Sequence, residues 1–270
     1  MTRAPEPPAV PRRRPLGEMS AGAMFACQVA LGLVVALLWQ WGAGRVFDEA
    51  FFSSPSAILV RLWQWTRDGS IFAQVWATMH ATVGGFITGS VLGLALGIWL
   101  GLSPFASRLL DPYLSALNAL PKVALAPLFV LWFGIGIESK VALAAILVLF
   151  LVFLNTYTGV REVDQDLVDA ARLMKATRFQ VLRKVIIPSA ASWVFASLKI
   201  SVPYALIGAV LGEMIASNRG LGYLVQFAGA QFDTAGVFAA LLVIALLAMF
   251  LNWIVGIFQK RAERWRVVGR

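Results

Sequence analysis

Apolar residues in this chain gather into blocks of about 20, separated by short polar stretches. The blocks run at about 21–41, 76–102, 112–133, 139–158, 191–215 and 236–258. A helix rises roughly 1.5 Å per residue and the bilayer core is about 30 Å thick, so each block is long enough to cross it. No run alternates apolar and polar strictly, as the strands of a water-filled barrel would. The pattern predicts an all-α, polytopic membrane protein with about six transmembrane helices, its membrane domain covering 21–258.

The stretches between and within the blocks add detail. Residues 1–20 are rich in Pro and Arg, with Arg12, Arg13 and Arg14 together, and read as a disordered basic tail. The run that follows is longer than a signal-peptide core, so it counts as the first membrane helix. Between the first two blocks, Ser54 and Pro55 suit the cap and first position of a short amphipathic helix ending near Trp65. Ile58, Leu59, Leu62 and Trp63 would share its apolar face, and its tryptophans fit the membrane interface. The second block carries Ala81, Gly85, Gly89, Gly93, Gly97 and Gly101, a groove that lets another helix approach closely. Pro121 and Pro127 predict a bend or break in the third block. A basic tail is expected over 259–270.

Only 14% of the residues are charged, against about 25% in soluble domains, while 59% are hydrophobic. A net charge of +9 would suggest nucleic acid in a soluble protein. Here the charge sits in loops and tails, and nucleic acid is not an expected partner. With the N-terminus inside, sixteen Lys and Arg fall on inner segments and five on outer ones. That bias places both termini, and residues 159–190, in the cytoplasm. One cysteine, Cys27, and one histidine, His80, leave no disulfide, no metal cluster and no catalytic constellation. No Gly-x-x-x-x-Gly-Lys-Ser/Thr loop is present, so ATP is not expected to bind by that route. The chain reads as a transport component rather than an enzyme. A secondary transporter is the alternative, although neither an internal repeat nor a midplane acid supports it.

The stretch 166–190, DLVDAARLMKATRFQVLRKVIIPSA, is too polar to span a bilayer but holds two helical patterns. The first covers about Leu167–Met174 and contains Ala170–Ala171, small enough for close contact with a partner. The second starts after Thr177, which forms a capping box with Gln180. Phe179, Leu182, Val185 and Ile186 give it an apolar stripe, and Pro188 is expected to end it. The segment resembles the coupling loop of ABC importer permeases: Glu-Ala-Ala, three residues, Gly, nine residues, Ile, one residue, Leu-Pro. Asp169–Ala170–Ala171, Lys175, Val185, Ile187 and Pro188 stand at those spacings. Lys175 replaces the glycine, at a cost of roughly 1 kcal/mol if the turn needs a left-handed residue. The segments 110–136, 155–164 and 212–225 extend the resemblance, which spans about Ser53 to Arg266. Together they look like the nitrate/sulfonate/taurine-type branch of the binding-protein-dependent permeases.

The resemblance implies a type I importer permease of the bacterial inner membrane. Two copies would form one pathway. Each coupling loop would seat in one of two separate ATPase subunits, which hold ATP and Mg. A periplasmic or lipid-anchored binding protein would deliver the solute, a small anion such as a sulfonate, taurine or nitrate. Membrane lipid would surround the pair. Asp169, Ala170, Ala171, Lys175, Thr177, Phe179 and Pro188 would form the coupling loop. Counted along their blocks, Lys122 and Lys199 lie near mid-bilayer, where ionisable groups mark function. They would line an anion pathway, or else bond to carbonyls freed by Pro121 and Pro203. Asn118, Trp132 and Tyr204 are further pathway candidates. Glu213 is a candidate outer gate, or the acceptor of a loop amide.

Overall fold

A computed structural model describes residues 21–262. The tail expected over 1–20 and the end of the one expected over 259–270 lie outside them. Gln259 to Ala262, expected as tail, extend the last helix. The chain divides into two compact units, residues 1–55 and 56–270.

The first unit contains α1 (Ala21–Gly42) and the single turn α2 (Glu49–Phe52). α1 is apolar along its whole length, and almost all its side chains are exposed. Asp48 caps α2 by accepting from the Ala50 amide. Ser54, expected as the cap of the next helix, is buried and donates its hydroxyl to Glu49 Oε1 at 3.2 Å.

The second unit is built from α3 (Pro55–Arg67), α4 (Ser70–Leu102), α5 (Pro104–Ala119), α6 (Ala126–Phe133) and α7 (Ile137–Arg161). α8 (Gln165–Leu173), α9 (Arg178–Val181), α10 (Ile187–Ile215), α11 (Leu221–Ala230) and α12 (Thr234–Ala262) complete it. Among the described residues, α1, α4, α7, α10 with the turns before it, and α12 are long and apolar enough to cross a membrane. The bent α5–α6 pair makes a sixth span if counted as one.

α7 is the axis of this unit. The small-residue groove of α4 lies along it, so that Gly93 meets Leu149, Val152 and Phe153, and Gly97 meets Phe153 and Thr156. A Cβ on Gly93 would stand 2.8 Å from the Leu149 carbonyl oxygen, and one on Gly97 2.6 Å from Thr156 Cβ. Without side chains there, the two backbones come close enough to gain dispersion contacts that lipid cannot supply. Gly208 of α10 seats against α7 at Ala144, the wholly buried residue that Gly85 of α4 also meets. A second core joins Ile71, Val202, Leu206, Leu221, Val243 and Leu247, from α4, α10, α11 and α12. α3 turns Leu62 and Trp65 onto it, and Ile58 is buried too. Leu59 and Trp63, expected on the same face, point outward. Arg61 of α3 pairs with Asp233, just before α12, at 2.7 Å.

Two prolines act differently from each other. Pro121 breaks the third block: α5 ends, a 3-10 turn covers Lys122–Leu125, and α6 leaves at 84°. Pro127 sits in the first turn of α6, where a missing amide costs nothing. Pro188, expected to end a helix, does not. The helix runs from Arg178 to Ile215 because Leu182–Ile186 form a π turn, with the Ile187 amide bonded to the Leu182 carbonyl. In a regular helix the ring of Pro188 would strike the carbonyl of residue 184, and the wider turn makes room for it.

Candidate functional site

The polar segment between α7 and α10 folds as a small body with its own core. Val163, Val168, Ala171 and Val181 are buried together, with Ala176, Val185 and Ile186 packed on them. Asp164 caps α8 by accepting from the Asp166 amide at 2.9 Å. α8 stops in a Schellman turn: the Lys175 amide donates to the Arg172 carbonyl at 2.8 Å, and the Ala176 amide to the Ala171 carbonyl at 3.1 Å. Lys175 takes φ of 59°, the left-handed conformation. Thr177 then caps α9 in a full capping box with Gln180. Asp169 is exposed and pairs with Arg172 at 3.4 Å, a surface contact of small energetic weight.

This body separates residues that the sequence had grouped. Ala170 is exposed, but Ala171 faces the body's own core, so the two alanines do not form a joint contact patch. Phe179 leaves the expected stripe and is 67% exposed, and Val181 takes the inward place. Leu173 and Met174 are also exposed, at 85% and 78%. Around Met174 a cleft of about 490 Å³ runs between Leu167, Ala170, Lys184 and Pro188. An apolar patch on a rigid, capped support suits a protein partner.

The pathway candidates divide as well. Lys122 does not lie ten residues deep in a straight helix, because the break at Pro121 puts it at the start of the 3-10 turn. Its ammonium donates to the Asn118 carbonyl at 2.9 Å and to Asn118 Oδ1 at 3.2 Å, and sits 4.6 Å from the centre of the Phe150 ring. It therefore caps the last turn of α5. Lys199 is exposed, and no hydrogen bond or ion pair holds its ammonium among the described residues. Ile200, Tyr204 and Ile207 share an exposed stripe of α10, with Lys199 at its margin, about 140° around the helix from Tyr204. Trp132 is 64% exposed near the end of α6, its ring edge-on to Phe129.

Glu213 is the centre of a buried polar cluster. It is 1% exposed, and its Oε2 accepts from Thr78 Oγ1 and from the Gly222 amide, both at 2.9 Å. Thr78 Oγ1 in turn accepts from the Leu221 amide at 2.8 Å, and Gln74 Oε1 from the Gly220 amide at 2.6 Å. The turn before α11 is thus pinned to α4 and α10. Gly220 allows this with φ of 113°.

Three features escaped the sequence reading. α11 is apolar but only ten residues long, too short to register as a span. Lys140, counted as a loop charge, is buried and donates to the carbonyls of Ile135 at 2.5 Å and Gly136 at 2.9 Å. Finally, Arg161 at the end of α7 donates to Tyr157 Oη at 2.8 Å and to Ser107 Oγ of α5 at 3.1 Å. The Ser107 and Tyr157 hydroxyls bond to each other. A basic residue at the foot of an apolar block gave only a topology signal.

Comparison with known proteins adds the following. The family described as binding-protein-dependent transport system inner membrane component matches residues 89–264. The chain is 38% identical over 242 residues to the riboflavin transport system permease protein RibX of Chloroflexus aurantiacus, covering 87% of this chain and 90% of that one. It is 31% identical over 237 residues to the aliphatic sulfonates transport permease protein SsuC of Bacillus subtilis, described as putative, covering 87% and 86%. In fold it resembles a chain of the inward-facing methionine ABC transporter MetNI, with TM-score 0.64 and 19% identity over 72% of this chain and 96% of that one.

Proposed function

We propose, since the chain belongs to the binding-protein-dependent transport system inner membrane components and is a permease subunit of an ABC importer, that two copies form one solute pathway in the bacterial inner membrane. The body 164–188 then lies in the cytoplasm and seats in a separate ATPase subunit, one per copy. ATP and Mg belong to that partner. A binding protein outside the membrane brings the solute to the end that carries Glu213, whose hydrogen-bonded turn closes the pathway there.

The observation that carries this reading is the exposed set Leu173, Met174 and Phe179 on a capped support with its own core. A loop that merely connected α7 to α10 would gain by burying these side chains, each by about 1.5–3 kcal/mol. A loop that must push and be pushed needs rigidity and an apolar face. The test is affinity purification from native membranes of wild type beside Ala170→Asp, which alters the exposed alanine and spares the core. Co-purification of an ATPase with wild type and its loss in the variant, at equal membrane levels, is the expected result. An ATPase held equally by both proteins would remove Ala170 from the contact. Absence of any ATPase from folded wild type would remove the coupling role of the loop.

The solute is proposed to be a small anion of the sulfonate, taurine or nitrate kind, with the Lys199 face of α10 lining its route. Of the two lysine candidates, Lys199 is the one whose ammonium has no hydrogen-bond partner among the described residues, and the exposed Tyr204 carries a hydroxyl just over a turn further on. Lys122, with Asn118, shapes the bend of the α5–α6 arm instead. Lys199→Gln should abolish uptake of such an anion, supplied by its binding protein, while ATPase binding stays. Unchanged uptake would remove Lys199 from the route.

A further inference from the structure

α5 is held to its unit in an uneven way. Its one buried residue is a serine, Ser107 in the first turn, while Phe105, Leu109, Tyr113 and Leu117 are exposed. Between α5 and the α4–α7 pair lies a cavity of about 340 Å³, with Leu110, Leu114 and Leu117 on one side and Trp99, Leu149 and Phe150 on the other. A helix that stands off across an apolar gap has few dispersion contacts to lose when it moves. The far end of α5 meets the 84° bend at Pro121. The near end is joined to α4 through Ser103 and fastened to α7 by polar groups: the Ser107–Tyr157 hydroxyl pair, and the Arg161 guanidinium that donates to both. Arg161 also lies 5.6 Å from the centre of the Tyr157 ring, which fixes its direction.

The place of this fastening matters. Arg161 is the last residue of α7, and Asp164, three residues on, caps α8 of the coupling body. A displacement of that body passes into the last turn of α7 at one end and, through the continuous helix from Arg178 to Ile215, into α10 at the other. The rest of α7 is clamped between α4 and α10 by glycine contacts against backbone atoms and cannot tilt independently. α5 is the neighbouring element free to follow.

On the reading of 164–188 as the ATPase-coupling loop, we infer that Ser107, Tyr157 and Arg161 are positioning residues for transport, forming the joint through which the loop swings α5 and the Lys122 bend. The joint is directional: charge-assisted bonds hold it in register, and the open cavity lets the arm turn.

The experiment uses the full permease co-purified with its ATPase, in nanodiscs, on a Cys27→Ser background. A single probe, Leu117→Cys at the cavity wall, is labelled with a maleimide in the nucleotide-free state and with MgATP and vanadate. With the joint intact the labelling rate should change several-fold between the two states. With Arg161→Ala, or with the milder Tyr157→Phe, that change should be lost while the ATPase stays bound and still hydrolyses ATP, and Arg161→Lys should restore part of it. A nucleotide-dependent change that persists in both Arg161→Ala and Tyr157→Phe overturns the joint, as does a rate at Leu117→Cys that nucleotide never alters. Failure of any ATPase to co-purify overturns the coupling reading itself, and the joint falls with it.

Discussion

Lys175 occupies the C′ position of the Schellman turn that ends α8, with φ of 59°. For an L-residue with a Cβ this conformation costs about 1–2 kcal/mol, and for glycine nothing. Replacing Lys175 by Gly removes that cost. It also gives the opened chain more freedom, which takes back about 0.4–1 kcal/mol. The net expectation is that Lys175→Gly stabilises the closed turn by roughly 0.5–1 kcal/mol. Lys175→Ala keeps the left-handed cost and removes only the charge, so it isolates the backbone effect. The side chain of Lys175 is exposed, and no buried contact is lost in either variant.

The readout must be local, because unfolding of a multi-helix membrane protein is not a single two-state step. Two amides depend on the turn, those of Lys175 and Ala176, bonded to the carbonyls of Arg172 and Ala171. Amide exchange in the peptide spanning α8 and α9 reports their opening. At about 1.4 kcal/mol per tenfold, the expected stabilisation slows exchange about two- to fivefold in Lys175→Gly, corrected for intrinsic rates. Lys175→Ala should exchange like wild type. Exchange in Lys175→Gly equal to or faster than in Lys175→Ala would refute the left-handed cost as the property that distinguishes this position.

Other positions give equally direct expectations. Gly93→Leu drives a side chain into the Leu149 carbonyl and the Phe153 amide of α7, backbone atoms that cannot step aside. It should cost about 1–3 kcal/mol and lower the melting temperature in detergent, while Gly84→Ala, facing only Val141 methyls, should melt near wild type. Glu213→Ala leaves the buried Gly222 amide and Thr78 hydroxyl without their acceptor, a loss of about 1–3 kcal/mol for each. Glu213→Gln keeps an oxygen there and should retain most of the melting temperature, so equal melting of the two variants would contradict the cluster's role. Ala171→Asp buries a carboxylate in the loop core and should abolish amide protection over 177–181, which Ala170→Asp leaves intact.

The spans were legible because their apolar blocks carry a length signal, and the break at Pro121 because a missing amide is a local fact. The errors came where a local rule met a non-local remedy. Pro188 was expected to stop a helix, and one π turn absorbed it. Lys122 was placed mid-membrane by counting along a block that the fold bends by 84°. Ala170 and Ala171 looked alike, but only the packing of Val168 and Val181 decides which one turns inward. Thr78 and Glu213 are 135 residues apart, and Ser107 and Arg161 54 apart, and no spacing rule joins such pairs.

Lys122, Lys140 and Lys199, in or beside the apolar helices, show how the membrane as a solvent sorts like residues. An ammonium facing hydrocarbon costs at least about 2.5–3.5 kcal/mol, so each must find oxygen or water. Lys122 takes the carbonyl of Asn118, which the break after Ala119 leaves without a helical partner. Lys140 takes the carbonyls of Ile135 and Gly136, in the turn that α6 leaves behind. In both cases a cation repairs backbone that the α5–α6 arm has broken. Lys199 lies within the long regular helix α10, where the backbone has one orphan near it, its own carbonyl, left by Pro203 four residues on. Its ammonium takes no protein oxygen among the described residues. An unpaired ammonium on a face of α10 turned to lipid would carry that cost, less whatever its long stem relieves by reaching toward the interface. The proposed pathway between two copies would turn this face toward water or another protein surface and so remove that cost.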